Sequence, residues 1–343
     1  MSTRAWPRSD QIAALWHQWR HVVALLSFAA GVASFVLIQR QEKVAQALVI
    51  LLPASWLLAL LEPWLIRIAE RRRLLRATPL LLSYLGQALH QESLFFTLPF
   101  FLATVTWASA QAVFVGGLIL VALVSIVDPL YYGAIAGHRA RLWSFHALAG
   151  FVTTLTAAPM LWQLTTTESL LLALTCAGAL STPAWWHALP RWGLLRGLLA
   201  LNAGAALIGC GWMLRAAVPP ATLWVSGITA ARSVDADTRE PLGRFERIDA
   251  ATARTDGIVV WSSIHAPRGL HERIEHRWLH NGRTVDVIEL DITGGREAGY
   301  RAWSRKAALP QPADGPWEVR VETQSGQLIG RVRFGIDAVA DVR

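Results

Sequence analysis

Residues 44–66 form an apolar run of over twenty residues, long enough to cross about 30 Å of hydrocarbon as a helix. It is followed at once by Arg67, Arg71, Arg72, Arg73 and Arg76, with Glu70 alone against them. Basic residues flanking a membrane span stay on the cytoplasmic side. This stretch therefore fixes the direction of its own span and, by alternation, of every other.

Six further apolar runs occupy residues 22–38, 94–107, 112–130, 142–164, 169–186 and 198–218. The first follows a basic start, as a signal sequence does. Its leader is long and no small-x-small cleavage site follows, so it reads as a retained span. Residues 79–92 are apolar but end in His90, Gln91 and Glu92, which suits a helix lying in the interface. With a cytoplasmic N-terminus, the loops after the second, fourth and sixth runs fall inside. These hold the arginine cluster, then Arg139 with Arg141, then Arg191 with Arg196. The opposite loops are short. Seven spans then place residue 221 onward outside the cytoplasm, in the periplasm of a Gram-negative cell, with the spans in its inner membrane.

Charge supports the division. Residues 1–220 hold 15 basic and 7 acidic residues, and residues 221–343 hold 17 of each. Charged residues make up 16% of the chain, against about 25% in soluble domains. The positive excess thus belongs to the membrane half, where it reads as topology. It gives no reason to expect a nucleic-acid partner, and membrane lipids are the expected surroundings. Cys176 and Cys210 sit in apolar runs without metal-ligand spacing and read as packing residues. Nothing implies a cofactor.

Polar residues inside the runs are few. Glu62-Pro63-Trp64, Asp128-Pro129 and Thr182-Pro183 each place a polar residue and a proline before aromatics. Glu62 and Asp128 would form a buried acidic site on one reading. On the stronger reading each proline starts a fresh interfacial helix. Asn202, beside Gly204, Gly209 and Gly211, suits an amide bonded across a close helix contact.

From residue 221 the pattern changes to short alternating strands, at 223–231, 244–250, 257–265, 273–280, 284–292, 300–307, 317–323 and 328–336. Asn281-Gly282 is a strong two-residue hairpin signal. The fold expected is thus an α-helical polytopic membrane domain of about seven spans (1–220), then an all-β, immunoglobulin-like sandwich (221–343). In the last hairpin, Leu328, Val332, Phe334 and Ile336 alternate with Ile329, Arg331 and Arg333, which puts one face inward.

Two strands carry the residues of chemical interest. Ile274, His276, Trp278 and His280 share one face, because strand side chains repeat every two residues. Arg301, Trp303 and Arg305 share a face opposite Ser304 and Lys306. A metal site on His276 and His280 with His265 or His271 fits no tight zinc spacing. A hydrolase would need a base and an orienting acid beside Ser304. Recognition by Trp278, Arg301, Trp303 and Lys306 suits a protein, glycan or lipid partner. Against it stands a core role for Trp278 and a hydrogen-bonded His276.

These residues also carry a resemblance. His276-x-Trp278, Gly294, Ser304-x-Lys306 and Gly315-x-Trp317-x-Val319 look like the pattern of a bacterial C-terminal domain family of unknown function. The membrane half resembles, by layout, an uncharacterised multi-span module fused ahead of that domain. The resemblance implies architecture and draws interest to His276, Trp278, Ser304 and Lys306. The function expected is a non-enzymatic envelope protein presenting a recognition domain. The rival is a membrane transporter or lipid-handling enzyme using Glu62, Asp128 or Asn202.

Overall fold

The computed structural model describes residues 78–338 apart from 191–192, with scattered positions before residue 78. Those positions aside, the runs at 22–38 and 44–66, the arginine cluster and Glu62 lie outside the described residues.

The helical part comprises α1 (Thr78–Thr104), α2 (Gln111–Ile126), α3 (Asp128–Leu130), α4 (Arg139–Trp162), α5 (Thr166–Ala188) and α6 (Leu194–Met213). A wider turn, Tyr131–Ala136, continues α3. The expected interfacial helix at 79–92 and the run at 94–107 are one helix, α1. Gln87, His90 and Gln91 do not end it, because they are buried and hydrogen-bonded to neighbouring segments.

Among the described residues, α4, α5 and α6 are long and apolar enough to cross a membrane. The pair α2 and α3, bent by 96°, makes a fourth if counted as one span. The expectation of about seven is thus not supported. α1 carries Gln87, His90, Gln91 and Glu92 along its middle, and α2 alone has 16 residues, about 24 Å of helix.

Small residues set a close contact between α5 and α6. A Cβ added at Gly204 of α6 would lie 2.8 Å from the Gly178 carbonyl oxygen of α5. Without side chains there, the two backbones approach as membrane helices commonly do. Asn202 takes no part in this. It is exposed and donates to the Leu198 carbonyl of its own helix at 2.8 Å.

After a short turn at Arg215–Ala217 the chain enters nine strands. They are β1 (Trp224–Val234), β2 (Pro241–Phe245), β3 (Arg247–Asp249), β4 (Ile258–His265), β5 (His271–His280), β6 (Arg283–Thr293), β7 (Tyr300–Lys306), β8 (Gly315–Thr323) and β9 (Leu328–Asp337). One sheet runs β2-β1-β4-β7 and the other β3-β9-β8-β5-β6. Both sheets contribute to shared cores, Ile258 and Val260 packing with Trp278, Trp317 and Phe334. Asn281 and Gly282 both have positive φ (51° and 77°), the geometry the β5–β6 turn requires.

The structure departs from the sequence reading in three places here. The expected strand at 244–250 is two short strands, one in each sheet. A short helix, α7 (Ala250–Asp256), follows them, capped by Asp249, whose side chain accepts from Thr252 N–H at 2.8 Å. In β9 the β8 register skips from Gly330 to Leu328, a bulge that turns Ile329 inward.

The Gly204 contact is directly testable. Gly204→Ala should destabilise the full chain in detergent by about 1–3 kcal/mol through overpacking against Gly178. The same change at Gly209, where an added Cβ meets nothing within 4 Å, should not lower the unfolding temperature, since alanine is the better helix former.

Candidate functional site

His276, Trp278 and Ser304 meet in the interior of the sandwich. His276 is fully buried between the sheets. Its Nε2 lies 3.1 Å from Ser262 Oγ and its Nδ1 2.9 Å from Ser304 Oγ. One proton arrangement satisfies every group. Ser262 donates to the Ala302 carbonyl at 3.2 Å and accepts from His276 Nε2–H. Ser304 then donates to His276 Nδ1 and accepts from Trp278 Nε1–H at 3.1 Å. The imidazole is neutral in this network, and burial holds its pKa down to about 4. The Ser304–His276 pair has the spacing of a nucleophile and its base. Both members are buried, however, and the far ring nitrogen faces a hydroxyl where a hydrolase places an acid.

Lys306 lies at the joint between the two sheets. Its Nζ meets Asp286 Oδ2 at 2.7 Å, joining edge strand β7 of one sheet to edge strand β6 of the other. The ammonium holds the Asp286 carboxyl below its ordinary range, chiefly by this hydrogen bond. Arg301 bonds the Thr238 carbonyl at 2.8 Å and pairs with Glu240 at 2.6 Å, pinning the β1–β2 turn over the outer face of the sheet. Trp303 and Arg305 are exposed on that same face, with Trp261 directly opposite Trp303. The sequence-nominated residues thus divide into buried supports (His276, Trp278, Ser304, Lys306) and an outward aromatic and basic strip (Arg301, Trp303).

A cleft of about 790 Å³ opens between the sheets away from this strip. Phe245, Trp317 and Phe334 line it together with Arg247, Arg320 and Arg333. Trp317 and Phe334 stack on each other, and Trp278 meets Trp317 edge-on from behind. Glu318 pairs with Arg320 and Arg333, each at 2.6 Å. In the sequence these arginines look only like the solvated side of a hairpin. Their convergence on Glu318 depends on the β8–β9 register, which sets Glu318 opposite Arg333.

A second polar cluster sits among the helices. Pro129 has no N–H, so the Ser125 carbonyl four residues earlier loses its helical donor. Gln87 and Gln91 of α1 supply it at 3.1 and 2.8 Å. Gln87 also donates to Asp128 Oδ1 at 3.0 Å and accepts from Tyr132 at 2.7 Å. His90 lies 2.8 Å from the Tyr131 hydroxyl and 2.7 Å from His146. Asp128 is the residue the sequence singled out. The sequence reads His90 and Gln91 as the polar end of an interfacial helix and gives Gln87 no role, because their spacing makes no motif and their role depends on a break in another helix.

Comparison with known proteins gives two matches. Residues 3–260 match the model described as a family of unknown function (DUF5924), which takes in more than half of the 343 residues. Residues 271–336 match a protein of unknown function (DUF2914). The first match runs through the helices and β1–β3 into β4; the second covers β5 to most of β9. No curated protein matches the chain.

The buried network makes two measurable demands. Ser304→Ala removes a partner from both His276 and Trp278 and should cost about 1–3 kcal/mol. The imidazole also sets a pH window. Above its unfolded pKa of 6.5 the ring is neutral in both states; between 6.5 and about 4 only the unfolded chain takes the proton. Stability should therefore fall as pH drops through that window, by on the order of 3 kcal/mol from this group, and level off below it. Thermal unfolding at pH 7.5, 6 and 5, with and without His276→Gln, checks this: the slope should flatten in the variant.

Proposed function

We propose, for a chain that belongs to the DUF5924 family of unknown function, an integral inner-membrane role in the bacterial envelope. Its N-terminus is cytoplasmic, and an immunoglobulin-like sandwich on the periplasmic face recognises a protein, glycan or lipid partner.

The sidedness of the contacts carries this reading. Thr166, at the start of α5, donates from its N–H and hydroxyl to Glu272 of β5 at 2.6 and 2.5 Å. Arg331 reaches the Ala108 carbonyl at 3.0 Å, and Gln111 the Leu328 carbonyl at 2.8 Å. Past α6, Gln327 reaches the Val218 carbonyl at 2.9 Å. These contacts all lie at the ends of the helices remote from Arg139, Arg141 and Arg196. Basic ends stay in the cytoplasm, so a sandwich seated on the other ends faces outward. Exposed Trp107 and Trp162 at one level, with Trp185 and Trp186 at the other, fit the two aromatic belts of a bilayer. In the sandwich, Trp303 and Arg301 form the contact surface, and His276, Trp278, Ser304 and Lys306 hold its strands in place behind it.

One observation favours the rival class, a transporter or a lipid-handling enzyme. Beside the helix break at Val127, Asp128 is buried against Gln87, and His90 and His146 are buried and bonded to each other; ionisable residues at a broken helix commonly mark an ion or proton path. Of the other residues named for that class, Asn202 is exposed and Glu62 is outside the described residues.

A periplasm-dependent phosphatase fused after Arg343 should be active. Activity of a cytoplasm-dependent reporter at that position would overturn the orientation. Crosslinking in native membranes separates the two classes. The double change Trp303→Ala and Arg301→Ala should lose the wild-type partner while Asp128→Asn keeps it. A phenotype confined to folded Asp128→Asn would transfer the function to the helices.

A further inference from the structure

A groove of about 640 Å³ runs between α4, α5 and α6. Ala177, Ser181, Ala203 and Leu207 lie along it, with Trp185 at one end and Leu214 at the other. Small side chains on α5 and α6 hollow it, and its lining is almost wholly apolar. From Leu174 to Trp185 on α5 it spans eleven residues, about 16 Å of helix. On α6 it continues past Gly211, which packs on Leu174, to Leu214 at the end of the helix, so the slot is longer than half of the ~30 Å hydrocarbon core.

Its Trp185 end is cationic. Arg196 stands seven residues before Ala203 and fourteen before Cys210, so it shares the face of α6 that lines the groove. Its guanidinium lies 4.7 Å over the Trp186 ring, next to Trp185, and its Nε is buried without a partner. On α4, Arg141 is placed three residues before Ser144 and seven before Leu148, both groove residues. Arg141 donates to the Ala134 carbonyl at 3.0 Å. Arg139 and Arg196 both lie close enough to His187 for their charges to act on it. Among the described residues no carboxylate pairs with Arg139, Arg141 or Arg196. A long apolar slot, with one end beside tryptophans and cations that no described carboxylate neutralises, complements one kind of molecule.

We infer that this groove binds an anionic phospholipid of the cytoplasmic leaflet, one acyl chain in the slot and the phosphate at Arg141 and Arg196. The inference rests on the membrane reading proposed above. Basic pockets between helices on the cytoplasmic side are the arrangement that selects acidic headgroups.

The test uses the full chain. Resistance of the protein to a carbonate wash of membranes comes first; release by the wash would overturn the membrane reading and this inference with it. The detergent-extracted protein is then titrated with phosphatidylglycerol and with phosphatidylcholine of the same acyl composition, and bound lipid is counted by native mass spectrometry. The wild type should prefer phosphatidylglycerol. The pair Arg141→Gln and Arg196→Gln should weaken that binding roughly thirtyfold, at about a kcal/mol for each of the two lost basic contacts, and leave phosphatidylcholine unchanged. Ala203→Phe, which fills the slot, should reduce both lipids. Equal affinity for the two lipids in the wild type would overturn the inference, as would unchanged phosphatidylglycerol binding in the arginine pair. If Ala203→Phe lowers the unfolding temperature and leaves lipid binding intact, a segment of the chain itself, or a second copy, occupies the slot.

Discussion

Helix ends and the connections beside them carry backbone groups that no turn of the helix can satisfy, and at the seam of this protein the sandwich satisfies some of them. The first N–H of α5, that of Thr166, meets the Glu272 carboxylate, where the helix dipole favours negative charge. The Val218 carbonyl, past the end of α6, takes the Gln327 amide. The Ala108 carbonyl, in the α1–α2 connection, takes Arg331. Burial pushes the Glu272 carboxyl up, against the opposing pull of the Thr166 hydrogen bonds. The seam thus joins backbone groups of each part to side chains of the other. This fixes the side of the bundle on which the sandwich stands.

The same rule governs the interiors. A buried polar group costs free energy unless it is paired. At the helix break, the price of Pro129 is one orphaned carbonyl at Ser125, and two glutamines of α1 cover it. In the sandwich, His276 is tolerated because Ser262 and Ser304 complete its hydrogen bonds. His276, Trp278 and Ser304 thereby satisfy one another in the interior. Lys306 follows the same logic at the margin, where its charge meets the carboxylate of Asp286.

Two sets of residues remain turned outward. Trp303, Arg301 and Arg305 occupy the outer face of the smaller sheet, and the arginines of α4 and α6 occupy the opposite end of the molecule. Each set joins cations to aromatic rings, a combination that gives apolar area and charge at one place. Between them stand the helices, whose α5–α6 contact depends on Gly178 and Gly204 having no side chain.

Periodicity alone determined a good deal. Hydrophobic runs located α2 and α4 to α6, two-residue alternation located most strands, and Asn281-Gly282 fixed one turn, because these are local properties of the chain. The pairing of His276 with Trp278 on one strand face was equally legible. What local pattern cannot encode is which distant group completes a polar side chain. The sequence could not say that Ser304 lies 2.9 Å from His276, that Lys306 meets Asp286, or that Gln87 and Gln91 serve a carbonyl on another helix. It also split α1 at its polar stretch, since His90 and Gln91 look solvent-facing until Tyr131, His146 and Ser125 surround them. The inward turn of Ile329 depended on a bulge in the β8–β9 register. Burial and partner were decided together by the tertiary structure, because the free energy of a polar group depends on its surroundings and not on its neighbours in sequence.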